Sequence, residues 1–495
     1  MTPLVIVFAL MLFLATQAGP RLWPSALRLA AIFIPAGVIT AYFIAPFLLY
    51  KGYMNVTPNL QRFKYDSYGA AQILGWLING DLFDKGRLPA MTLLLTLGVA
   101  WAAVRRNAPA RLALLMFGTW LILYFGRPTL GPLLDIFPMH DGLLFHRFIA
   151  GVDLGAILLA GLGAEWLWRQ CQQLTPRWGS LIAVAIILAL MIPALRERQQ
   201  FYATNRQWMS DTQAALQADT DSNEIVAAIK SLPPGRVYAG MNKDWGRLMH
   251  WGDVRFYDRL TYELIPALSP PWQSYSLNSD LLWYFDENHP HDYKLFNVRY
   301  VIAPTGQAPK PFFLPIKKTT RYTLYQIDSG GYVQFGQITD HKDTDSQADL
   351  LQENRAWMTS SAPAANQFIR WSYMGNDSSS GTDPADKAAT VINEKISPGR
   401  IEVVTRSSND ATLIFKVTYH PNWHVEVDGK EVRAFMVSPS YIGARVPGGI
   451  HVVAAEYRSN RMRNYLLLMS AITIVLVLLF GKKLEGLVEE SLARS

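Results

Sequence analysis

Of the 495 residues, half are apolar and only 17% are charged, and the mean hydropathy is slightly positive at +0.09. This is too apolar for an ordinary soluble enzyme, and 15 Trp, 22 Tyr and 23 Phe exclude a disordered chain. The single cysteine, Cys171, excludes a disulfide framework and an all-Cys metal site. The net charge of +7 arises in residues 1–195, which hold 14 Lys and Arg against 7 Asp and Glu, while the rest of the chain balances. Cations beside apolar segments suit membrane lipids or a phosphate-bearing substrate. No nucleic-acid partner is expected, because that would call for a basic face on the soluble part.

Apolar runs recur at lengths near the roughly 20 helical residues that cross a bilayer core of about 30 Å. Seven spans are predicted: Thr2 to Gln17, Trp23 to Tyr50, Met91 to Val104, Ala110 to Phe125, Phe148 to Trp168, Ser180 to Leu195 and Asn464 to Phe480. Pro35 and Gly37 favour a kink in the second. The first has the short apolar core and the small residues Ala15, Ala18 and Gly19 of a signal peptide, but no Lys or Arg precedes Arg21, so a span is expected there. Basic residues near the span ends leave the orientation open: with the tail inside, ten lie inside and twelve outside.

Residues 196–339 read as a mixed α/β region, with a helix-like piece from Glu224 to Lys230 and strand-like pieces ending at Tyr238 and running from Val298 to Ile302. Residues 340–389 are rich in Ser, Asp, Ala and Gln and read as a linker or insertion. From Thr390 to 462 the apolar period becomes two, as in Thr412 to Tyr419 and Ile450 to Tyr457. Asp428-Gly429 between two such runs predicts a hairpin with a type I′ turn, because both central residues must take positive φ. Pro447-Gly-Gly449 marks a second turn, and the short strands together predict a small β-sandwich. A membrane helix over 464–481 and a cytoplasmic tail over 482–495 complete the chain.

These residues also carry a resemblance. The stretch from Tyr419 to Lys430, then Val446 to Val452 and a final span, resembles the C-terminal β-domain of bacterial YfhO-type membrane proteins. Phe296 to Ile302 is similar to a strand of that family's soluble region. His146-Arg-Phe-Ile149, leading into Gly155 to Gly163, resembles its late membrane helices, as in the neighbouring 6-pyruvoyl-tetrahydropterin-synthase-related membrane proteins. The likeness covers Ser67 to the end. Both groups look like the GT-C superfamily of polytopic glycosyltransferases, which take sugars from polyprenyl-phosphate donors on the outer membrane face. The resemblance therefore implies a multi-pass protein of the bacterial inner (plasma) membrane with its large soluble region extracytoplasmic. It also implies a polyprenyl-phosphate-linked sugar as donor and a glycan or glycolipid as acceptor. That family's usual catalytic carboxylate lies in a first outer loop with no counterpart here, so a C-terminal piece or half-length relative is expected. The fold class is thus a polytopic α-helical membrane domain of about seven spans, six of them within residues 1–195, with a large extracytoplasmic α/β region ending in a small antiparallel β-sandwich.

Glycosyl transfer needs a carboxylate to take a proton from the acceptor hydroxyl and cations to hold the departing phosphate. The loop from Lys51 to Ala90 offers Asp66, Asp81 and Asp84 with Arg62, Lys64, Lys85 and Arg87, although Asp66-Ser67 can equally start a helix and Asp81 and Asp84 can cap the next turn. The loop from Arg127 to Arg147 holds Asp135, His140, Asp141, His146 and Arg147, a set suited to pyrophosphate directly or through a divalent cation. His140 and His146 are six apart and match no helical pair of metal ligands. The candidate bases are therefore Asp66, Asp84 and Asp141, and the candidate phosphate ligands are Arg127, His146 and Arg147. Asp153 is an intramembrane candidate, with pairing to Arg147 as its structural alternative. Trp245, Trp251, Tyr257, Trp272, Trp283 and Tyr284 suit either a carbohydrate groove or ordinary packing. Asp286 to His291 is an acidic and histidine-bearing run without metal spacing, and Asn55-Val-Thr57 and Asn376-Asp-Ser378 match glycosylation acceptors. The alternative function is a non-catalytic membrane protein whose soluble domain binds a glycan or a partner.

Overall fold

A computed structural model of the chain describes residues 22–56, 62–105, 107–137, 140–241, 243–268, 275–375 and 388–493. The expected first span, Thr2 to Gln17, lies outside the described residues, as do Trp272 and Asn376 to Ser378. The chain divides into two compact units, one made of residues 1–41, 59–206 and 467–495, the other of residues 42–58 and 207–466.

The first unit is helical: α1 Leu22–Tyr50, α2 Arg62–Asp66, α3 Ala70–Asn79, α4 Asp81–Asp84, α5 Ala90–Arg105, α6 Ala108–Phe125, α7 Arg127–Leu130, α8 Ile149–Leu174 and α9 Gly179–Ala218, with the C-terminal helix Arg461–Ala493. Some of these run on into the second unit. Among the described residues, five helical stretches are long and apolar enough to cross a membrane: Ala30–Tyr53, Ala108–Phe125, Phe145–Leu174, Gly179–Ala218 and Arg461–Gly481. The protein is a membrane protein with a helical membrane part. At 16 residues α5 is shorter, about 24 Å long against a core of about 30 Å.

Local chemistry sets the ends of these helices. Asn107 caps α6 by accepting from the Ala110 N–H at 3.0 Å, and Pro109 follows in the first turn. The predicted sixth span ends at Leu195, whereas α9 runs on to Ala218, because no glycine or proline interrupts the helix-forming residues after Pro193. Glu165 in α8 pairs with Arg105 at 2.8 Å and with Arg169 at 2.8 Å.

Where α8 packs on α5 and α6, glycines set the approach. A β-carbon on Gly155 would fall 2.7 Å from the backbone of Phe117, and one on Gly151 would strike the Trp120 ring. Small residues at such crossings let backbones approach closely, which is how helices associate where lipid removes the hydrophobic driving force.

The second unit begins with α10 Thr220–Ser231, followed by β1 Arg236–Tyr238, β2 His250–Trp251, β3 Val254–Arg255, α11 Phe256–Tyr262, α12 Pro290–Leu295, β4 Val298–Pro304, β5 Leu314–Lys318 and β6 Tyr322–Gln326. A mixed sheet of order β1-β4-β6-β5 forms here, with β1 parallel to β4. Asp219 caps α10 at Ser222 and is buried, where it also accepts from Trp251 Nε1 at 2.7 Å, the Tyr322 hydroxyl at 2.8 Å and Arg321 at 2.8 Å.

The rest of this unit is β-rich: β7 Val333–Thr344, α13 Gln347–Met358, β8 Gln367–Tyr373, β9 Thr390–Ser397, β10 Arg400–Ser407, β11 Ala411–Thr418, β12 Trp423–Val427, β13 Lys430–Val432, β14 Ala434–Val437, β15 Tyr441–Val446 and β16 Gly449–Tyr457. Strands β11, β15, β14, β8 and β7 close a barrel, and β13, β12, β16, β10 and β9 make a five-stranded antiparallel sheet. The stretch 340–389, expected as a linker or insertion, thus carries the end of β7, then α13 and β8, and the β-rich part starts at Val333. Its polar composition reflects an outer strand tail: Asp340, Lys342 and Asp343 pair with Ile369, Trp371 and Ser372 of β8 while their own side chains stay exposed or half-buried. One core of buried residues runs from Ile225 to Ala455 in this unit.

Candidate functional site

In the helical unit, the segment Ser67-Tyr-Gly69 laces the loop before α3 to the end of α6. The Ser67 hydroxyl donates to the Tyr124 carbonyl at 2.5 Å, the Gly69 N–H donates to the Phe125 carbonyl at 3.0 Å, and the Ala70 N–H donates to Thr129 Oγ1 at 2.7 Å. Gly126 ends α6 with φ +66°, and a β-carbon there would fall 2.0 Å from the Asp66 carbonyl oxygen. Only glycine permits both the turn and the approach, and the next residue, Arg127, is thereby delivered to Asp66.

Arg127 is the hub of a polar cluster. Its Nε lies 3.7 Å from Asp66 Oδ1, its Nη1 lies 3.3 Å from Asp135 Oδ1, and its Nη2 donates to the His140 carbonyl at 2.7 Å. His140 Nδ1 lies 3.1 Å from the same Asp135 oxygen. The guanidinium carbon sits 5.5 Å from the centroid of the Phe145 ring, a cation–π contact that fixes its plane. Arg62 reaches the other Asp66 oxygen at 3.2 Å.

His146 Nδ1 lies 2.6 Å from the Lys64 carbonyl. A carbonyl only accepts, so Nδ1 carries the proton, and in the neutral ring Nε2 is the acceptor. The ring stands edge-on to Phe63 at 6.1 Å, and Phe63 stacks on Tyr68 at 5.5 Å, which in turn meets Trp76 at 4.9 Å. This patch presents aromatic faces beside two carboxylates, two imidazoles and several cations. Such a set can hold an anionic group, take a proton from a hydroxyl, and stack on the apolar face of a sugar.

The other sequence candidates are placed differently. Asp84 is buried, and its carboxylate accepts from the Met91 N–H at 3.0 Å, the Thr92 N–H at 2.9 Å and the Thr92 hydroxyl at 2.8 Å. It caps the start of α5, with all of these bonds made inside the fold. Arg147 is exposed and has no ion-pair partner among the described residues. Asp153 is exposed on α8 and makes no ion pair with Arg147. The backbone of Asp141 belongs to the 3₁₀ turn His140–Gly142, and its side chain lies outside the described part.

Asp135 and His140, which the sequence places in the Arg127–Arg147 loop set without making them a candidate base or phosphate ligand, join the cluster, and so do Phe63, Tyr68 and Trp76, for which the sequence carries no site signal. In the other unit Trp245, Trp251 and Tyr257 are buried packing residues, while Trp283 is exposed and Tyr284 carries Arg355 over its ring at 4.2 Å. Asp286 pairs with His289 at 3.2 Å and His291 with Asp292 at 3.0 Å. Among the described residues no group of three His, Cys, Asp or Glu side chains is placed to hold a metal ion. No protein-family profile, no curated protein and no solved structure matches the chain.

Proposed function

We propose that the chain is a membrane-embedded glycosyltransferase of the GT-C type, moving a sugar from a polyprenyl-phosphate donor to an extracytoplasmic glycan or glycolipid. The observation that carries this reading is the Arg127 cluster, built in the connection between two helices that are each long and apolar enough to cross a membrane. A polyprenyl tail holds its phosphate at head-group depth, where such a connection lies. In this reading Arg127, Lys64 and Arg147 steady the phosphate, and Asp66 or His146 Nε2 takes the acceptor proton. The neighbouring aromatic faces of Phe63 and Tyr68 suit a sugar ring. The protein sits in a bacterial inner membrane with its β-rich region outside.

A second reading is favoured by one observation: Asp84 is wholly used as a cap and Asp66 already lies between Arg62 and Arg127. Here the chain is non-catalytic and its soluble region binds a glycan or a partner. The test is Asp66→Asn and His146→Gln, singly and together, in a strain whose envelope glycan depends on this gene. Loss of a general base costs about 10²- to 10⁴-fold in rate, so product should fall steeply at unchanged protein level. Full activity in the stably expressed double variant would replace the enzyme with the binding protein. The side of the membrane is read separately by Gly429→Cys in a Cys171→Ser background, which an impermeant thiol reagent should label in intact cells.

A further inference from the structure

Arg105 of α5, Arg111 of α6 and Arg169 of α8 gather at one end of the helical unit. A β-carbon on Gly98 would fall 3.1 Å from the Gly163 nitrogen, and farther along both helices Arg105 meets Glu165 at 2.8 Å, so α5 and α8 run parallel and reach the same end. Two residues separate α5 from α6, so α6 starts there as well. Residues 98–112 and 160–180, which make up this end, hold five arginines against one acidic residue, Glu165. They also hold Trp101, Trp166, Trp168 and Trp178. Tryptophan is enriched at head-group level, where the ends of membrane spans lie.

We propose that this end binds an anionic phospholipid through its head-group phosphate, held by Trp101 and Arg111 and flanked by Arg105 and Arg169. Trp101 Nε1 and Arg111 Nε are buried, and neither has a hydrogen-bond partner among the described residues. A buried donor left unmet costs free energy, so each calls for an acceptor that the fold itself does not supply. Trp101 precedes Arg105 by four residues, and the Arg111 N–H donates to the Asn107 carbonyl at 3.0 Å. Both orphaned donors therefore lie about one helical turn, about 5.4 Å, in from the connection between α5 and α6.

The one carboxylate at this end is already engaged. Glu165 accepts from Arg105 Nη1 at 2.8 and 2.9 Å, and from Arg169 Nε and Nη2 at 3.0 and 2.8 Å. Arg111 enters no ion pair among the described residues. A single carboxylate shared by two arginines leaves the end cationic, which favours an anionic lipid over a zwitterionic one. The Arg105 guanidinium, 5.3 Å from the centroid of the Trp101 ring, is held over the same indole. The depth of the two donors favours a lipid over a free phosphate, because an acyl anchor carries the group to the membrane boundary, whereas a free ion would have to leave water to reach them. Arg127 follows the other end of α6, so the proposal depends on neither reading of its cluster.

The full chain, freed of co-purified lipid in detergent micelles, is titrated with dioleoyl phosphatidylglycerol, dioleoyl phosphatidylcholine and glycerol 1-phosphate, and binding is read by native mass spectrometry. Phosphatidylglycerol should bind about tenfold more tightly than phosphatidylcholine, since each cation near a head group is worth about fivefold. Its affinity should weaken as salt rises. Arg111→Gln should weaken phosphatidylglycerol binding by about fivefold. Because Arg111 lies in the first turn of α6, Arg169→Gln, a change at a half-exposed side chain, serves as a second variant and should weaken binding severalfold with an unchanged unfolding temperature. Glycerol 1-phosphate binding as tightly as the lipid would make this a soluble-anion site and overturn the proposal. It is equally overturned if phosphatidylcholine binds as well as phosphatidylglycerol, or if both variants bind phosphatidylglycerol as the native chain does.

Discussion

Gly98 of α5 and Gly163 of α8 meet backbone to backbone: a β-carbon on Gly98 would fall 1.7 Å from the Leu159 carbonyl oxygen, and one on Gly163 would fall 2.0 Å from the Leu94 carbonyl oxygen. Each glycine therefore lies against the other helix with no room for a methyl group. Gly163→Ala should force the helices apart, and overpacking of this kind costs about 1–3 kcal/mol. Thermal unfolding in detergent should show a lower midpoint for Gly98→Ala and Gly163→Ala, and no change for Gly118→Ala, where a β-carbon meets nothing within 4 Å. Equal midpoints for all three would show that the crossing is not held by close approach.

Asp84 and Asp66 should separate stability from function. Asp84→Ala removes the buried cap of α5 and leaves the Met91 and Thr92 donors without their acceptor, a loss of about 0.5–2 kcal/mol for a helix cap. Its unfolding midpoint should drop. Asp66 is partly exposed, so Asp66→Asn should leave the midpoint nearly where it was. The reverse order of midpoints would contradict the capping geometry.

The sequence reads best where the determinant is local. Asp428 and Gly429 take φ +50° and +74°, and Val427 pairs with Lys430 across them, as the two-residue turn required. Helix existence was equally legible from hydropathy, since an apolar run of span length has few alternatives. The meeting of Arg127 with Asp66 was not legible, because it depends on a glycine approach and three hydrogen bonds between segments about 60 residues apart. The parallel pairing of β7 with β8 was hidden for a related reason: half of β7 is polar, and a crossover helix separates it from its partner. The run of α9 past Leu195 was missed because hydropathy reports where a span ends, not where a helix does.

Lys416 is buried in the barrel wall, where its ammonium donates to the Lys294 carbonyl at 2.8 Å and the Ser329 carbonyl at 3.0 Å. Burial, with Lys294 and Arg236 nearby, lowers its pKa to about 7. The ordinary lysine value is about 10.4, so between these limits the unfolded chain binds a proton that the folded chain lacks. Stability should therefore rise with pH from about 7 to about 10, and lie at its lower level below 7. Chemical denaturation across that range should show the rise in the native chain and its loss in Lys416→Met. A flat profile in the native chain would mean that the amine keeps its proton in the fold.

His420 and His451 should titrate in opposite directions within one unit. His420 is packed among Tyr50, Tyr53 and Tyr457, and burial lowers its pKa to about 4. Folding then excludes a proton that the unfolded chain accepts below about 6.5, so stability is lost as pH falls from 6.5 towards 4 and is flat below. His451 Nδ1 meets Asp428 at 2.6 Å and Nε2 faces the Gly448 carbonyl at 3.3 Å. The Asp428 carboxylate raises the His451 pKa, and the imidazolium lowers that of Asp428. The histidine's contribution is complete below about 6.5 and is lost as pH rises through its folded pKa. The aspartate's contribution is complete above about 3.9 and is lost as pH falls through its own. The pair is thus at full strength between about 4 and 6.5, where His420 is becoming a burden. Histidine-labelled protein followed by NMR should place the His451 midpoint above 6.5 and that of His420 well below it. Asp428→Asn should bring His451 back towards 6.5 and leave His420 unmoved, whereas a His451 midpoint unaffected by Asp428→Asn would show that the 2.6 Å contact does not set its charge.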